Sequence, residues 1–193
     1  MNVQWGVACR PKTGQTVSGD GYAVIEAEGS RLITVVDGLG GGVEAARPME
    51  LALQVLRDHP MRPLKELITR SHTALHGTRG AVIGLLRLEE HPQRATYVGV
   101  GNIGIHVTSD RMIKPISKNG ILGHGQLPTL LEMTYTYNLN DLFVLYSDGI
   151  STRVISDSAL SRAPTDLHML AADLLARYGK TIDDATVLIV QPL

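Results

Sequence analysis

One cysteine, Cys9, in 193 residues excludes an internal disulfide and suits a reducing compartment. Aromatics are nearly as scarce, with one Trp (Trp5), one Phe (Phe143) and six Tyr. The core must therefore be built from Val, Ile, Leu and Ala, and little material remains for stacking on nucleic-acid bases. Neither sign of charge dominates: 18 Lys and Arg face 19 Asp and Glu, a net charge of -1 with no basic run. That balance argues against nucleic acid or an anionic membrane as the main partner. Long apolar stretches are also missing, none approaching the roughly 18 residues of a membrane span. The amino terminus has no charged region followed by an apolar one. These absences predict a cytoplasmic protein, and a monomer is expected. The length, with 44% hydrophobic and 19% charged residues, predicts one globular domain over residues 1–193.

The hydrophobic pattern divides the chain into short segments. Val3, Trp5 and Val7 alternate with polar or small residues, as in a half-exposed strand. Residues 21–27 and 31–36 read as a hairpin around Glu28-Gly29-Ser30. Helical spacing runs from Val43 to about Asp58, and Pro48 places the helix start at that proline. Pro63 opens a second helix that Gly77 ends. Six strand-like runs follow, at 79–88, 94–100, 103–108, 111–116, 130–138 and 141–147, with connections short enough to require antiparallel pairing. After Asp148 come a polar, helix-compatible region and an amphipathic helix from Asp166 to Tyr178. An apolar strand, Ala185 to Val190, closes the pattern. The order predicts an α+β sandwich with helices on its outer faces.

Four aspartates stand at the ends of apolar runs, beside glycine or another small residue. They are Asp20 in Ser18-Gly19-Asp20-Gly21, Asp37 in Val36-Asp37-Gly38-Leu39-Gly40-Gly41-Gly42, Asp148 in Ser147-Asp148-Gly149, and Asp183 in Asp183-Asp184-Ala185-Thr186. Any one Asp-Gly pair is an ordinary turn former. Four such ends meeting in space would make a cluster of hard oxygen ligands with no cation nearby in sequence. Oxygen-only ligation points to Mg²⁺ or Mn²⁺ over zinc. Asp37 is the strongest candidate, because Leu32-Ile33-Thr34-Val35-Val36 reads as a buried central strand and the following glycines let a ligand approach the backbone.

Other motifs imitate function. The glycine run after Val36 is followed by a second helix where a dinucleotide-binding unit needs a strand. Gly179-Lys180-Thr181 imitates the tail of a P-loop, but Leu174 stands where its first glycine belongs, so it reads as a helix terminus. His72 and His76 share a helix face without an acid or cysteine to complete a ligand set. His124 lies in a glycine-rich loop that either borders a cleft or is solvated. Cys9 reads as a small core residue.

Taken in order, Ser18-Gly19-Asp20, Asp37-Gly38-Leu39-Gly40-Gly41, Gly99-Val100-Gly101-Asn102, Ser147-Asp148-Gly149 and Asp183-Asp184-Ala185-Thr186 resemble the metal-dependent protein phosphatases of type 2C. The nearer likeness is to their short bacterial, SpoIIE-like branch. The resemblance implies a four-layer αββα sandwich, two antiparallel sheets flanked by helices, with a site for two Mn²⁺ or Mg²⁺ ions at one end. By position, Asp37 would bridge both ions and the Gly38 carbonyl would ligate one. Asp148 and Asp183 would hold the second, and Asp20 would bind directly or through water. Asp184 would support these ligands from behind, and Asn102 occupies the place of an aspartate that serves a third ion in larger relatives. Arg10 and Lys12 are the candidates for a phosphate-binding cation.

Two such ions can lower the pKa of a shared water toward about 7 and offset charge on phosphoryl oxygens during in-line attack. The implied function is a phosphoserine/phosphothreonine protein phosphatase acting on a phosphorylated regulatory protein of a bacterial stress-response (stressosome) pathway. The alternative is an inactive pseudophosphatase that only docks a partner. A degenerate site has no reason to hold uncompensated carboxylates together, so the four aspartates favour the enzyme. The stretch Lys118 to Thr129 is the candidate for a small flap beside an open cleft, with selectivity coming from docking of a large partner.

Overall fold

Alternation along one strand explains the layering. In β3 (Ser30–Gly38), successive side chains face opposite ways, and both faces are dry, since Leu32, Ile33, Val35 and Val36 are all fully buried. Leu32 and Val36 join a cluster beneath helices, whereas Ile33 and Val35 join a cluster between two sheets. The computed structural model describes residues 1–161 and 166–193.

The remaining elements are β1 (Val3–Arg10), β2 (Asp20–Ala27), α1 (Val43–Asp58), α2 (Leu64–Ala74), β4 (Ala81–Glu89), β5 (Arg94–Val100), β6 (Gly104–Thr108), β7 (Glu132–Thr136), β8 (Leu142–Tyr146), α3 (Leu167–Tyr178) and β9 (Ala185–Pro192). One sheet has the order β2-β3-β4-β5-β7 and the other β1-β9-β8-β6. Every pairing is antiparallel. Leu53, Leu56, Leu67 and Ile68 of α1 and α2 cover the five-stranded sheet. Leu170 and Leu174 of α3 cover the four-stranded one. Between the sheets lie Tyr97, Phe143, Leu145, Leu188 and Val190. Each such side chain contributes roughly 1.5–3 kcal/mol by leaving water. The αββα sandwich is thus borne out, as is the hairpin at Gly29, whose φ of 64° suits a tight turn.

Several local expectations are corrected. Helix α1 begins at Val43 and carries Pro48 in its interior. The Ala45 and Ala46 amides bond the Gly42 carbonyl, which fixes the first turn ahead of the proline. That turn is pressed against β3: a Cβ on Gly38 would sit 1.9 Å from the Ala45 carbonyl oxygen. Pro48 has no amide to donate to the Glu44 carbonyl, so the helix continues through it with one bond fewer. Residues 111–116 form no strand, because Pro115 lacks a donor and β6 pairs only with β8. The region after Asp148 forms two short 3₁₀ turns, Thr152–Ser156 and Ser158–Ser161, in place of an α-helix. Cys9 is exposed, since β1 is an edge strand. Among the described residues, no helix is long and apolar enough to cross a membrane.

Candidate metal centre

The strand registers gather the aspartates. Asp20 opens β2 and pairs directly with Asp37 near the end of β3. In the other sheet Tyr146, the last residue of β8, pairs with Val187 of β9. The turn after β8 (Ser147-Asp148) and the one before β9 (Asp183-Asp184) are therefore neighbours. These turns touch so closely that a Cβ on Gly149 would stand 1.8 Å from the Asp184 carbonyl oxygen, which requires glycine there. The two sheets, packed face to face, bring both pairs of turns to one end of the sandwich.

Asp37, Asp148 and Asp183 line one cleft of about 420 Å³, with Gly40, Asn102 and Ile121 among the other lining residues. Asp20 lies behind this cleft and is 6% exposed. Its Oδ2 accepts a hydrogen bond from the Ser147 hydroxyl at 2.6 Å, and its Oδ1 is buried without a partner. Gly38 is buried at the back of its turn, its amide donating to the Gly19 carbonyl at 3.0 Å. Asp184 is committed elsewhere. Its Oδ1 accepts from the Lys12 amide and its Oδ2 from the Gly19 amide, each at 2.8 Å, so it fastens the loop between β1 and β2 to the site.

The electrostatics are those of carboxylates deprived of water and crowded together. Burial first, then the charges of Asp20, Asp148, Asp183 and Asp184, pushes the Asp37 carboxyl up to about 8. Burial also raises Asp20 to about 7, even though the Ser147 hydrogen bond and the neighbouring Thr186 hydroxyl favour its charged form. Asp148 is held above the usual carboxylate range by burial and by Asp183, with Lys180 and Asn102 opposing. Among the described residues, no three His, Cys, Asp or Glu side chains are drawn together as a closed ligand set. Asp37, Asp148 and Asp183 instead stand apart around the cleft.

This donor set fits a hard divalent ion on two grounds. All the side-chain donors are oxygens, and the unpartnered Oδ1 of Asp20 is a buried acceptor that no protein group satisfies. A cation near these groups would remove both the repulsion and that unmet acceptor.

Sequence reasoning missed several participants. Ser147 supports Asp20 and also accepts from the Thr186 amide at 3.0 Å. Asn102, which the sequence singled out for its position and not for this contact, donates to Asp148 Oδ2 at 2.7 Å, so a neutral amide stands beside this carboxylate. Cations distant in sequence also arrive, Lys12 as a named candidate and Lys180 as one not named for this role: Lys12 Nζ donates to the Gly40 carbonyl at 3.3 Å and Lys180 Nζ to the Asp148 carbonyl at 2.5 Å. Of the two proposed cations, Lys12 thus reaches the glycine turn, whereas Arg10 donates to the Lys180 carbonyl at 2.8 Å. His72 and His76 turn to the backbone of one loop. Their Nδ1 atoms contact the backbone of Gly123, at 3.1 Å to its amide and 3.2 Å to its carbonyl. His124 is exposed, and its Nε2 donates to the Arg79 carbonyl at 2.8 Å.

Comparison with known proteins agrees with this geometry. Residues 27–192 match the family model of Stage II sporulation protein E (SpoIIE). The phosphoserine phosphatase RsbX of Bacillus subtilis (strain 168) is 25% identical over 142 residues, 72% of this chain and 71% of that protein. A chain from the structure "The bacterial stressosome: a modular system that has been adapted to control secondary messenger signaling" superimposes with a TM-score of 0.89 at 29% identity, covering 99% of this chain and 100% of its own. The crystal structure of RsbX in complex with magnesium gives a TM-score of 0.86 at 23% identity, over 98% of this chain and 94% of that one. The matched residues include three of the four aspartates, and on this ground the chain belongs to the SpoIIE family.

Proposed function

We propose that this protein is a metal-dependent phosphoserine/phosphothreonine protein phosphatase whose substrate is a regulatory protein of a bacterial stress pathway. The observation that carries the reading is the convergence of Asp37, Asp148 and Asp183 on one cleft, with the buried Asp20 behind them. Family membership and the phosphoserine phosphatase among its relatives support the reaction class, and the stressosome structure supports the pathway.

Asp37, Asp148, Asp183 and Asp20, with the Gly38 carbonyl, would hold two ions, Mn²⁺ or Mg²⁺. Bound there, such ions supply Lewis-acid activation of water and neutralise charge on a phosphoryl group. The protein's own groups do the positioning. Asp37 faces the cleft from the end of a rigid, doubly buried strand. Ser147 orients Asp20 through its hydroxyl, and Asn102 orients Asp148 through its amide. Asp184 pins the β1–β2 loop, so Lys12 stays beside the Gly40 carbonyl, where its ammonium can meet an incoming phosphate. No thiol or imidazole lines the cleft among the described residues, so the site presents no covalent nucleophile of those types. The reading makes the protein a cytoplasmic monomer.

The test is Mn²⁺-dependent release of phosphate, from p-nitrophenyl phosphate and from a phosphorylated partner protein read by intact mass. Turnover of both in Mn²⁺ and of neither in EDTA is expected. Binding of the partner without turnover would favour the pseudophosphatase alternative.

A further inference from the structure

The turns that border the cleft carry positive charge beyond the Lys12 ammonium assigned above to the phosphate. Three cations stand on those turns, outside the cleft lining: Lys12 and Lys180 on the backbone of Gly40 and Asp148, and Arg79 across the glycine turn. A Cβ on Gly40 would lie 2.6 Å from Arg79 Nη1, so the guanidinium sits against the same turn that borders the cleft. Among the described residues, none of the three is in an ion pair, although the chain forms such pairs elsewhere. Each lysine spends a donor on the backbone of the site. Arg79 is exposed, makes no side-chain hydrogen bond and lies outside the cleft lining.

The base of Arg79 is nonetheless fixed. Its carbonyl accepts from His124, and the next carbonyl, that of Gly80, accepts from the Leu39 amide at 3.0 Å. A free guanidinium on an anchored backbone is suited to a planar, two-point grip on a carboxylate. Ile182, next to Asp183 in sequence, is 83% exposed.

We infer that this collar selects phosphoserine segments flanked by acidic side chains, and that Arg79 is the residue that reads the flanking carboxylates. The inference rests on the phosphatase reading above, because the acidic cleft accepts such a segment only once divalent ions have offset its own carboxylates. Attraction at an exposed rim acts mainly on encounter and orientation, and salt screens it. It should therefore govern KM for peptides and leave the chemistry of a small ester alone.

The experiment compares two phosphoserine peptides of equal length, one flanked by Asp and Glu and the other by Lys, with p-nitrophenyl phosphate as the control, all in Mn²⁺. The wild type should favour the acidic peptide by about 10-fold or more in kcat/KM, through KM, and the preference should shrink as salt rises. Arg79→Glu should abolish or invert that preference while hydrolysing p-nitrophenyl phosphate normally, and Arg79→Lys should keep most of it. Equal use of both peptides by the wild type, or an unchanged preference in Arg79→Glu, overturns the inference while leaving the phosphatase reading intact. Failure of the wild type to cleave even p-nitrophenyl phosphate overturns the phosphatase reading, and this inference with it, so the two failures are told apart.

Discussion

Asp20 and Asp37 stand directly opposite one another in the β2–β3 ladder. Like charges in that relationship are destabilising even on an exposed sheet, and here burial pushes the two carboxyls up to about 7 and about 8. The arrangement disfavours the metal-free fold near neutral pH and is relieved by any cation that enters. On the proposed reading, metal ligands stand where stability alone would favour neutral residues.

Asp37→Asn should therefore separate the two properties. Turnover in Mn²⁺ should fall by about 10³-fold or more, since the amide is a poor ligand at the centre of the cluster. The melting midpoint in EDTA should stay level or rise, because one of the crowded charges is gone. Near-normal phosphate release by this variant would contradict the assignment of Asp37.

The dependence of stability on pH follows from the raised pKa values. Asp20 and Asp37 hold protons more tightly in the folded chain than in the unfolded one. Between about pH 4 and pH 8 the folded state thus binds more protons, and stability falls as pH rises. Divalent ions displace those protons, so their stabilisation grows across the same window. In EDTA the melting midpoint should drop by about 5 °C between pH 5 and pH 8, and the gap to a sample in millimolar Mn²⁺ should widen. A gap that narrows toward pH 8 would remove the acidic cluster as the metal site.

Ser147→Ala tests the support behind Asp20. The change removes the hydroxyl donor to Oδ2 and the acceptor for the Thr186 amide. Leaving these buried groups unmet should cost about 1–3 kcal/mol in urea unfolding. It should also raise the Mn²⁺ concentration needed for half-maximal activity, whereas a stability loss with unchanged metal titration would make Ser147 purely architectural.

Asp184 is expected to be structural. Asp184→Ala frees the Lys12 and Gly19 amides and should cost roughly 3 kcal/mol, because both bonds are made to a carboxylate. Saturating Mn²⁺ should restore activity at low temperature. Complete loss of activity in a folded Asp184→Ala protein would instead make it a ligand.

The flap needs to be probed at the right residue. Leu122 is fully buried in the core under α2, and its amide and carbonyl pair with Ala81, whereas Ile121 is 37% exposed and lines the cleft. Leu122→Ser should thus lower the melting midpoint by several degrees, as a buried polar substitution does. Ile121→Ser should leave the midpoint unchanged but slow the protein substrate and spare p-nitrophenyl phosphate, measured side by side.

Much of this protein was legible in the order of its residues. A near-continuous apolar run such as Leu32 to Val36 identifies a central strand, because both faces of its pleat are covered, and each Asp-Gly at a run's end marks where a carboxylate leaves the core. Local rules failed where distant segments decided the outcome. Pro48 alone argues for a helix start, but the close fit of Ala45 on Gly38 extends α1 back to Val43. Residues 111–116 look like a strand, yet a strand exists only where a neighbour offers a ladder, and β6 pairs with β8 alone. The partners of the aspartates were invisible for the same reason. Ser147 lies 127 positions from Asp20, and the Lys12 and Gly19 amides lie 172 and 165 from Asp184. Sequence determined which side chains have the chemistry of a metal site, because that is a property of each residue and its turn. Tertiary structure alone decided which carboxylates face the cleft, which one is spent on backbone amides and which cations stand at the mouth. Those roles depend on distances that only the packing of two sheets can set.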